Sequence, residues 1–92
     1  MIKGFKSKVT EQLFSGDCTK KWLSFHEQAE KRLQILDSAT CLEDLRFLPS
    51  NHLEALKGDR KGQLSIRINL KWRICFKWDE DAAIDVEIVD YH

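Results

Sequence analysis

The sequence predicts an α+β fold, with helices in its first half and an antiparallel sheet in its second. Three successive runs between residues 63 and 90 alternate apolar and polar residues, a period of two that is typical of strands with one buried face. Residues 20–36 instead place apolar side chains three and four positions apart, the spacing of an amphipathic helix. Helices followed by consecutive antiparallel strands define the α+β class.

The first forty residues supply the predicted helices. Residues 2–6 predict a short N-terminal strand, and Val9 and Leu13, four positions apart, predict a short helix that ends at Gly16. A longer helix is expected from roughly Lys20 to Leu36, and its start is left open between Thr19 as N-cap and a capping box of Ser24 and Glu27. Its apolar stripe consists of Trp22, Phe25, Ala29, Leu33 and Leu36.

The segment between this helix and the sheet predicts a helical turn and a loop. Thr40 and Glu43 form a capping box, which predicts a brief helix with Thr40 as its N-cap. Residues 49–63, which begin with a proline, are expected to connect to the sheet as a loop, with turns at Gly58 and Gly62.

The alternation also predicts how the first two strands pair. Even-numbered residues are apolar in all three runs, so one continuous apolar face requires the numbers of paired residues to have an even sum. This favours a turn at residues 69–71 with Ile68 opposite Trp72, and it places Arg67 opposite Arg73 on the other face. Like charges that face each other across a sheet are unfavourable, which indicates an anionic ligand there.

The same rule sets the register of the second hairpin. It places Lys77 opposite Asp85 and Arg73 opposite Val89, with Tyr91 near Lys71. The predicted sheet of three strands therefore has an apolar face that packs in the core and a basic face that is available for function.

Length and charge distribution limit the number of domains and the kind of ligand that the protein could bind. Ninety-two residues with 42% apolar content predict one domain, residues 1–92, with one core. The formal net charge is zero, but residues 57–77 contain seven Lys and Arg against one acid, whereas residues 78–92 contain six acids and no Lys or Arg. A basic block in a neutral chain indicates a local site for a polyanion, although a solvated sheet face would show the same composition.

Cysteine usage and hydropathy predict a cytoplasmic protein. Cys18, Cys41 and Cys75 are odd in number and widely spaced, so no disulfide framework is expected. The N-terminus lacks an apolar leader and no apolar run reaches membrane-spanning length, so no membrane contact is expected. No His or Cys pair has the spacing of metal ligands, and neither a metal nor another cofactor is predicted.

Two groups of residues are candidates for chemistry. Cys75 lies beside Arg73 on the polar face of the predicted sheet, where a cation would lower its thiol pKa, but an unreactive cysteine is the favoured interpretation. The C-terminal residues 90–92 offer a carboxylate, a phenol and an imidazole, and Lys57 and Arg73 add cations. These are parts for RNA transesterification, which needs a base, an acid and cations for the phosphorane-like transition state. A frayed polar strand end would look the same.

Four stretches together resemble the HigB toxin family of the RelE-like superfamily. They are the opening MIKGFK, the pattern L-x-x-L-K-G-D-R-x-G from residue 53, the pattern S-I-R-I-N-x-x-W-R-I-C-F from residue 65, and the closing V-D-Y-H. Each stretch is short, and the resemblance depends on their joint order and spacing along the whole chain.

The resemblance implies a compact RelE-like fold and a ribosome-dependent mRNA endonuclease that needs no metal. Such a toxin cuts the codon in the ribosomal A site and leaves a 2′,3′-cyclic phosphate and a 5′-hydroxyl. The implied partners are the 30S ribosome with its mRNA, and a HigA antitoxin that carries a helix-turn-helix. Operator DNA would be bound only through that antitoxin.

The resemblance also implies the site residues. By motif, Lys57 and Arg73 would stabilise the scissile phosphate, Asp90 and His92 would transfer protons, and Tyr91 would position or stack the substrate. Glu54 departs from the pattern, because some relatives carry His there; it would act as base or orient Lys57. Ribosomal RNA would be held through charge by Lys20, Lys21, Arg60, Lys61, Arg67 and Lys71.

Two other functions remain open at this point. RelE-like folds also include gyrase-directed toxins of the ParE type, which lack the nuclease set. An inactivated toxin that only binds its antitoxin is the second alternative, since a shared fold does not establish nuclease action.

Overall fold

The computed structural model describes residues 1–17 and 20–90, and within them the chain forms three α-helices and a four-stranded antiparallel sheet. The predicted α+β class is confirmed, although the sheet has four strands instead of the three expected. The helices are α1 (Lys8–Phe14), α2 (His26–Ser38) and α3 (Leu42–Arg46). The strands, in the order in which they lie in the sheet, are β1 (Glu54–Ala55), β2 (Leu64–Arg67), β3 (Trp72–Asp79) and β4 (Ala82–Asp90).

Helix α1 follows its sequence signals. The Ser7 hydroxyl accepts a hydrogen bond from the Thr10 amide at 3.2 Å and so caps the first turn. After Phe14 the chain reverses at Gly16, whose φ of 103° is accessible to glycine at little cost. The predicted end of this helix is confirmed.

The long helix predicted from Lys20 to Leu36 is divided in two, which corrects the expectation. Lys20–Phe25 is a 3₁₀ helix, and α2 begins only at His26 because Phe25 leaves the helical region, with φ −134° and ψ 17°. In a 3₁₀ helix residues three apart project from the same side. Trp22 and Phe25 are therefore both buried, with their ring centroids 6.3 Å and 5.1 Å from that of Trp72.

Helix α3 is capped differently from the prediction. Cys41 is the N-cap, without a side-chain capping bond, so the capping box of Thr40 and Glu43 is wrong. Instead, the Asp44 carboxylate accepts from the Thr40 amide at 2.9 Å and from its hydroxyl at 3.1 Å. Backbone and side-chain hydrogen bonds from Thr40 lower the pKa of Asp44. Asp44 therefore accepts the hydrogen bond from the Thr40 amide that was expected for Glu43.

The N-terminal segment lies beside β4 but does not form the continuous strand predicted for residues 2–6. Isolated parallel bridges join Ile2 to Ala83 and Phe5 to Val86. The two bridges flank Asp85, where β4 bulges, so the ladder is interrupted there. The segment nevertheless covers the outer edge of β4, which would otherwise present unpaired backbone groups.

The predicted register of the first hairpin is confirmed. Ile66 pairs with Ile74 and Arg67 with Arg73, each with the expected sum of residue numbers. The turn is closed without glycine, because the Asn69 side-chain oxygen accepts hydrogen bonds from the amides of Lys71 and Trp72, each at 2.8 Å.

The second hairpin follows the prediction for half its length. Arg73 pairs with Val89 as expected, but beyond Cys75 the register shifts by one, and Lys77 pairs with Ile84 instead of Asp85. The extra residue is accommodated at Asp85, which has a φ of 52°. One inserted residue transfers the following side chains to the other face, so Ile84 lies on the side of Lys77.

The two faces of the sheet have different coverings. The helix-side face, formed by Ile66, Ile68, Ile74, Phe76, Val86 and Ile88, packs on Leu13, Leu33, Leu36 and Leu45 of the helices. The opposite face is called the loop-side face here and comprises Ser65, Arg67, Arg73, Cys75 and Val89. The expectation of an open basic face is wrong for its centre, where Ser65 and Cys75 are 0% exposed and Arg73 is 6% exposed.

Part of this covering comes from residues 49–63, which were predicted to be a loop. They contain the 3₁₀ turns Pro49–Asn51 and Gly58–Arg60 and the edge strand β1, in which Glu54 pairs with Ser65. A two-residue strand is too short to show an alternating pattern. None of the helices in the described ranges is both long enough and apolar enough to cross a membrane.

Candidate active site

Arg73 is the most constrained of the predicted site residues. It lies in the middle of the sheet, on the loop-side face, with its side chain 7% exposed. Its Nε–H donates to the hydroxyl of Ser65 at 2.8 Å, and its Nη2 donates to the carbonyl oxygen of His52 at 2.6 Å. A buried guanidinium is stable only when its donors find acceptors, and these two come from different elements.

Glu54 lies next to Arg73, so the structure brings these two predicted residues together. Its Oε2 is 3.9 Å from Nη2 of Arg73, which is an ion pair at the limit of direct contact. The Glu54 side chain is 55% exposed, so its carboxylate is accessible to a ligand. Strand β1 fixes this position, because pairing with Ser65 puts Glu54 on the loop-side face.

Lys57 is presented by the loop that joins β1 to β2. The Leu56 amide donates to the Gln63 carbonyl at 2.9 Å, which closes this loop at its base. Gly58 and Gly62 have φ values of 64° and 93°, so the loop requires residues that tolerate the left-handed region. Lys57 itself is exposed.

The basic block is partly neutralised by the acidic block that follows it. Arg60 pairs with Glu87 at 2.8 Å, and Lys77 pairs with Asp85 at 3.7 Å. Over residues 1–17 and 20–90, by contrast, none of the ion pairs includes the predicted RNA-contacting cations Lys61 and Arg67 or the predicted catalytic Lys57. Arg67 is half-buried directly opposite Arg73, so positive charge is concentrated where an anion was predicted.

Asp90 is placed apart from Arg73. It pairs with Trp72 in the ladder, so its side chain leaves the sheet on the helix-side face, and its Oδ2 is 3.6 Å from Nζ of Lys71. Lys71 and Lys21 each place Nζ 5.8 Å from the Trp72 ring centroid, within the range of a cation–π contact. Asp90 thus belongs to a cluster at the sheet edge with Lys21, Lys71 and Trp72.

Several predicted residues are described only partly or not at all. Tyr91 and His92 lie outside the described residues, and so does the predicted proximity of Tyr91 to Lys71. Lys20 is exposed at the start of the 3₁₀ helix before α2.

Cys75 is not a nucleophile by its surroundings. Burial raises the pKa of its thiol, and this effect outweighs the opposing charge of Arg60, which lowers that pKa. The protonated thiol is a weak nucleophile. In the part of the chain that the structure describes, no group of three His, Cys, Asp or Glu side chains is close enough together to hold a metal ion.

Comparison with known proteins identifies the family. Residues 3–92 match the family model described as the RelE-like toxin of the type II toxin–antitoxin system HigB. The chain is 36% identical over 87 residues to Toxin HigB-1 of Vibrio cholerae, with 92% of each chain covered. It is also 36% identical over 93 residues to Endoribonuclease HigB of Proteus vulgaris, with the full length of both covered. The chain belongs to the HigB-like toxin family. Membership of a type II system implies an antitoxin partner.

The structure of this HigB-like toxin adds residues that sequence reasoning did not identify. Ser65 and the His52 carbonyl hold Arg73, and Asn51 holds the turn that carries His52. The sequence signal that could have identified Ser65 is its position on the same predicted face of the sheet as Arg67 and Arg73. The His52 contact is made by the backbone, so no choice of side chain could have indicated it.

Proposed function

We propose that this HigB-like toxin is an endoribonuclease that cleaves mRNA in the ribosomal A site and thereby inhibits translation and growth. The observation that carries the proposal is the placement of Arg73. Two acceptors fix its guanidinium, and the residue lies opposite Arg67 in the sheet. The name Endoribonuclease HigB, borne by a relative that matches along the full chain, supports the reaction class. The function is proposed for residues 1–92 as one toxin domain.

Stabilisation of the scissile phosphate is assigned to Arg73 and Lys57. Cleavage of RNA by its own 2′-hydroxyl places additional negative charge on the non-bridging oxygens of the phosphate in the transition state. Preorganised cations lower that barrier more than mobile ones, because they need no reorientation during the reaction. Arg73 is fixed in this way, whereas the exposed Lys57 can follow the phosphate as substrate enters.

Proton transfer needs a base for the 2′-hydroxyl and an acid for the leaving oxygen. The base removes the 2′-hydroxyl proton, the 2′-oxygen bonds to phosphorus, and the bond from phosphorus to the 5′-oxygen breaks. The acid then protonates the 5′-oxygen, which gives a 2′,3′-cyclic phosphate and a 5′-hydroxyl. We assign the base to Glu54, supported by its exposed carboxylate 3.9 Å from Arg73. His92 is assigned as acid.

The remaining C-terminal residues have supporting roles in this proposal. Asp90 and Lys71 form an ion pair, so a role for Asp90 in orienting this strand end fits better than direct proton transfer beside Arg73. Tyr91 is proposed to stack on a base of the substrate, since unpaired bases of RNA are commonly held by aromatic rings. The chemistry assigned here uses side chains alone, without a metal or cofactor.

Binding to the ribosome is assigned to four exposed lysines and the half-buried Arg67. Lys20, Lys21, Lys61, Arg67 and Lys71 are proposed to contact ribosomal RNA phosphates, with a strength that falls as salt rises. Arg60 is assigned a smaller share, because it is ion-paired with Glu87 at 2.8 Å. The antitoxin partner is proposed to be a HigA-type protein with a helix-turn-helix, through which the pair contacts operator DNA.

The test of the chemistry is a ribosome-bound mRNA with one 2′-deoxynucleotide at the cleaved position. Cleavage of the all-ribose control, with loss of cleavage at the deoxy position and a cyclic phosphate on the 5′ fragment, is expected. Cleavage of the deoxy substrate at the control rate would contradict attack by the 2′-hydroxyl. Gyrase inhibition by the protein without any RNA cleavage would instead favour the ParE-type alternative.

A further inference from the structure

Arg73 is held from two directions by groups that have no other role in the proposed reaction. The hydroxyl of Ser65 accepts from Nε, and the His52 carbonyl accepts from Nη2. Ser65 is 0% exposed, so no solvent competes for its hydroxyl. An arginine side chain has several freely rotating bonds, and hydrogen bonds to both Nε and Nη2 restrict rotation of the guanidinium plane.

Ser65 is placed to act on Arg73 by the sheet itself. Its ladder partner is Cys75, and Arg73 is the next residue of β3 on the same face. The contact is therefore diagonal across two neighbouring strands, at a separation that long side chains span. Strand pairing on both sides of β2 fixes the Ser65 backbone, and so the acceptor that Nε meets.

The second acceptor is fixed by an unusual turn. His52 follows the 3₁₀ turn Pro49–Asn51 and adopts the left-handed region, with φ 46° and ψ 53°. A residue other than glycine rarely adopts this conformation unless its surroundings impose it. The His52 side chain is exposed, so its contribution to the contact with Arg73 comes from the backbone.

Asn51 anchors this turn to the helical layer. It is 0% exposed, its Nδ2 donates to the Leu45 carbonyl at 3.0 Å, and its Oδ1 accepts from Nη1 of Arg32 at 2.7 Å. Arg32 lies in α2 and Leu45 in α3. A chain of polar contacts therefore runs from the helices through Asn51 and the His52 backbone to the guanidinium of Arg73.

We propose that Ser65 and the turn anchored by Asn51 are positioning residues, which hold the Arg73 guanidinium in its reactive orientation before RNA binds. This rests on the proposed function, in which Arg73 stabilises the phosphate. A group that is oriented in advance loses no rotational freedom in the transition state, so the benefit belongs to kcat. Substrate affinity, which depends on the exposed cations, is affected little.

The competing explanation is that these acceptors only stabilise a buried charge. In that case loss of the Ser65 hydroxyl lowers stability, and activity falls only as far as the folded fraction falls. Thr10 offers a matched control, since it is also 0% exposed and its hydroxyl accepts from the Ile88 amide at 3.0 Å on the other side of the sheet. Thr10→Val removes a buried hydroxyl without a direct effect on Arg73.

The experiment compares Ser65→Ala, Ser65→Thr and Thr10→Val in single-codon cleavage on programmed ribosomes, with kcat and KM separated. For Ser65→Ala, kcat is expected to fall about tenfold or more with KM nearly unchanged, since displacement by about 1 Å can cost on the order of 100-fold. Ser65→Thr retains the hydroxyl and should recover kcat. Thr10→Val should keep kcat wherever it is folded.

A second measurement tests whether the Arg73 guanidinium is held in place, and it needs no assay of activity. The Nε–H of Arg73 should give a ¹⁵N resonance protected from solvent exchange in the wild type and in Thr10→Val. The protection should be lost in Ser65→Ala. Retained protection and full kcat in Ser65→Ala would overturn the positioning role, as would an equal loss of kcat in Thr10→Val.

The double variant separates this proposal from the proposed function. If Ser65 acts through Arg73, Ser65→Ala with Arg73→Ala should cleave no more slowly than Arg73→Ala alone. Full cleavage by Arg73→Ala would contradict the role of Arg73 itself. Loss of cleavage in Arg73→Ala, with further loss in the double variant, would leave that role intact and overturn the positioning by Ser65.

Discussion

The centres of the two faces of the sheet are buried to nearly the same degree by opposite means. On the helix-side face, Ile66, Ile74 and Phe76 are 0% exposed and pack against apolar side chains of the helices. On the loop-side face, Ser65 and Cys75 are equally buried and Arg73 nearly so, beside polar and charged groups. The comparison shows that the alternation of apolar and polar residues indicates which side chains share a face of the sheet. Whether that face is buried depends on which other segment of the chain packs on it.

The largest effect on stability should come from the helix-side face. Phe76→Ala is expected to lower the free energy of unfolding by about 3–5 kcal/mol, because it removes a large buried side chain and leaves a cavity. Cys75→Ala, at the next position and on the other face, removes only a sulfur and should cost much less. Urea unfolding of both variants measures this, and equal losses would show that the two faces contribute alike.

The largest specific effect on activity should come from the loop-side face. Arg73→Lys keeps the charge but cannot donate to Ser65 and His52 in the geometry of the guanidinium. Single-turnover cleavage on programmed ribosomes is expected to fall on the order of 100-fold, which is the typical cost of losing one preorganised donor. Cleavage at the wild-type rate by Arg73→Lys would show that charge alone suffices there.

Lys57 should affect activity without affecting stability. It is exposed and belongs to none of the ion pairs formed within the described residues, so Lys57→Ala should change the free energy of unfolding by less than about 0.5 kcal/mol. Cleavage is expected to fall about tenfold or more through loss of phosphate stabilisation. Lys31→Ala in α2, with the same change of charge, is the control and should cleave normally.

The smallest effect concerns the cysteines. Because burial raises the pKa of Cys75, the folded protein retains this proton at pH values where the unfolded chain has released it. Its contribution to stability is therefore complete below the ordinary thiol pKa and is lost as pH rises through the raised value. The stability difference between wild type and Cys75→Ala should decline at alkaline pH.

Alkylation checks the same point at neutral pH. The exposed Cys41 should react with iodoacetamide while the buried Cys75 reacts only after unfolding. Equal labelling rates for the two thiols in the folded protein would contradict the buried, protonated state of Cys75.

Much of the sheet could be predicted because the residue patterns that specify its strands lie within short stretches of the sequence. The pairing of Arg67 with Arg73 followed from the parity of apolar positions, and the end of α1 followed from Gly16. The shift at Asp85 could not be predicted, because an aspartate in a strand is ordinarily an outward-facing residue. A bulge is set by the neighbouring strand, which the local pattern does not contain.

The sequence indicated candidate site residues but not how the structure arranges them. Motif resemblance indicated Arg73 and Glu54, and their separation of 3.9 Å depends on β1, a strand of two residues that carries no pattern of its own. Asp90 was grouped with Arg73 by motif, yet ladder pairing with Trp72 sends its side chain to the opposite face. Membership of the same motif therefore did not determine on which face of the sheet a side chain lies.

The most direct test of the central claim is to map the 5′ ends of an mRNA incubated with the purified protein. The reactions would contain wild type or Arg73→Ala, each with and without programmed ribosomes. Cuts that require ribosomes, fall within A-site codons and vanish in a folded Arg73→Ala are the predicted result. Rapid cutting of naked RNA, or unchanged cutting by Arg73→Ala, would contradict an active site built around Arg73 for ribosome-bound mRNA.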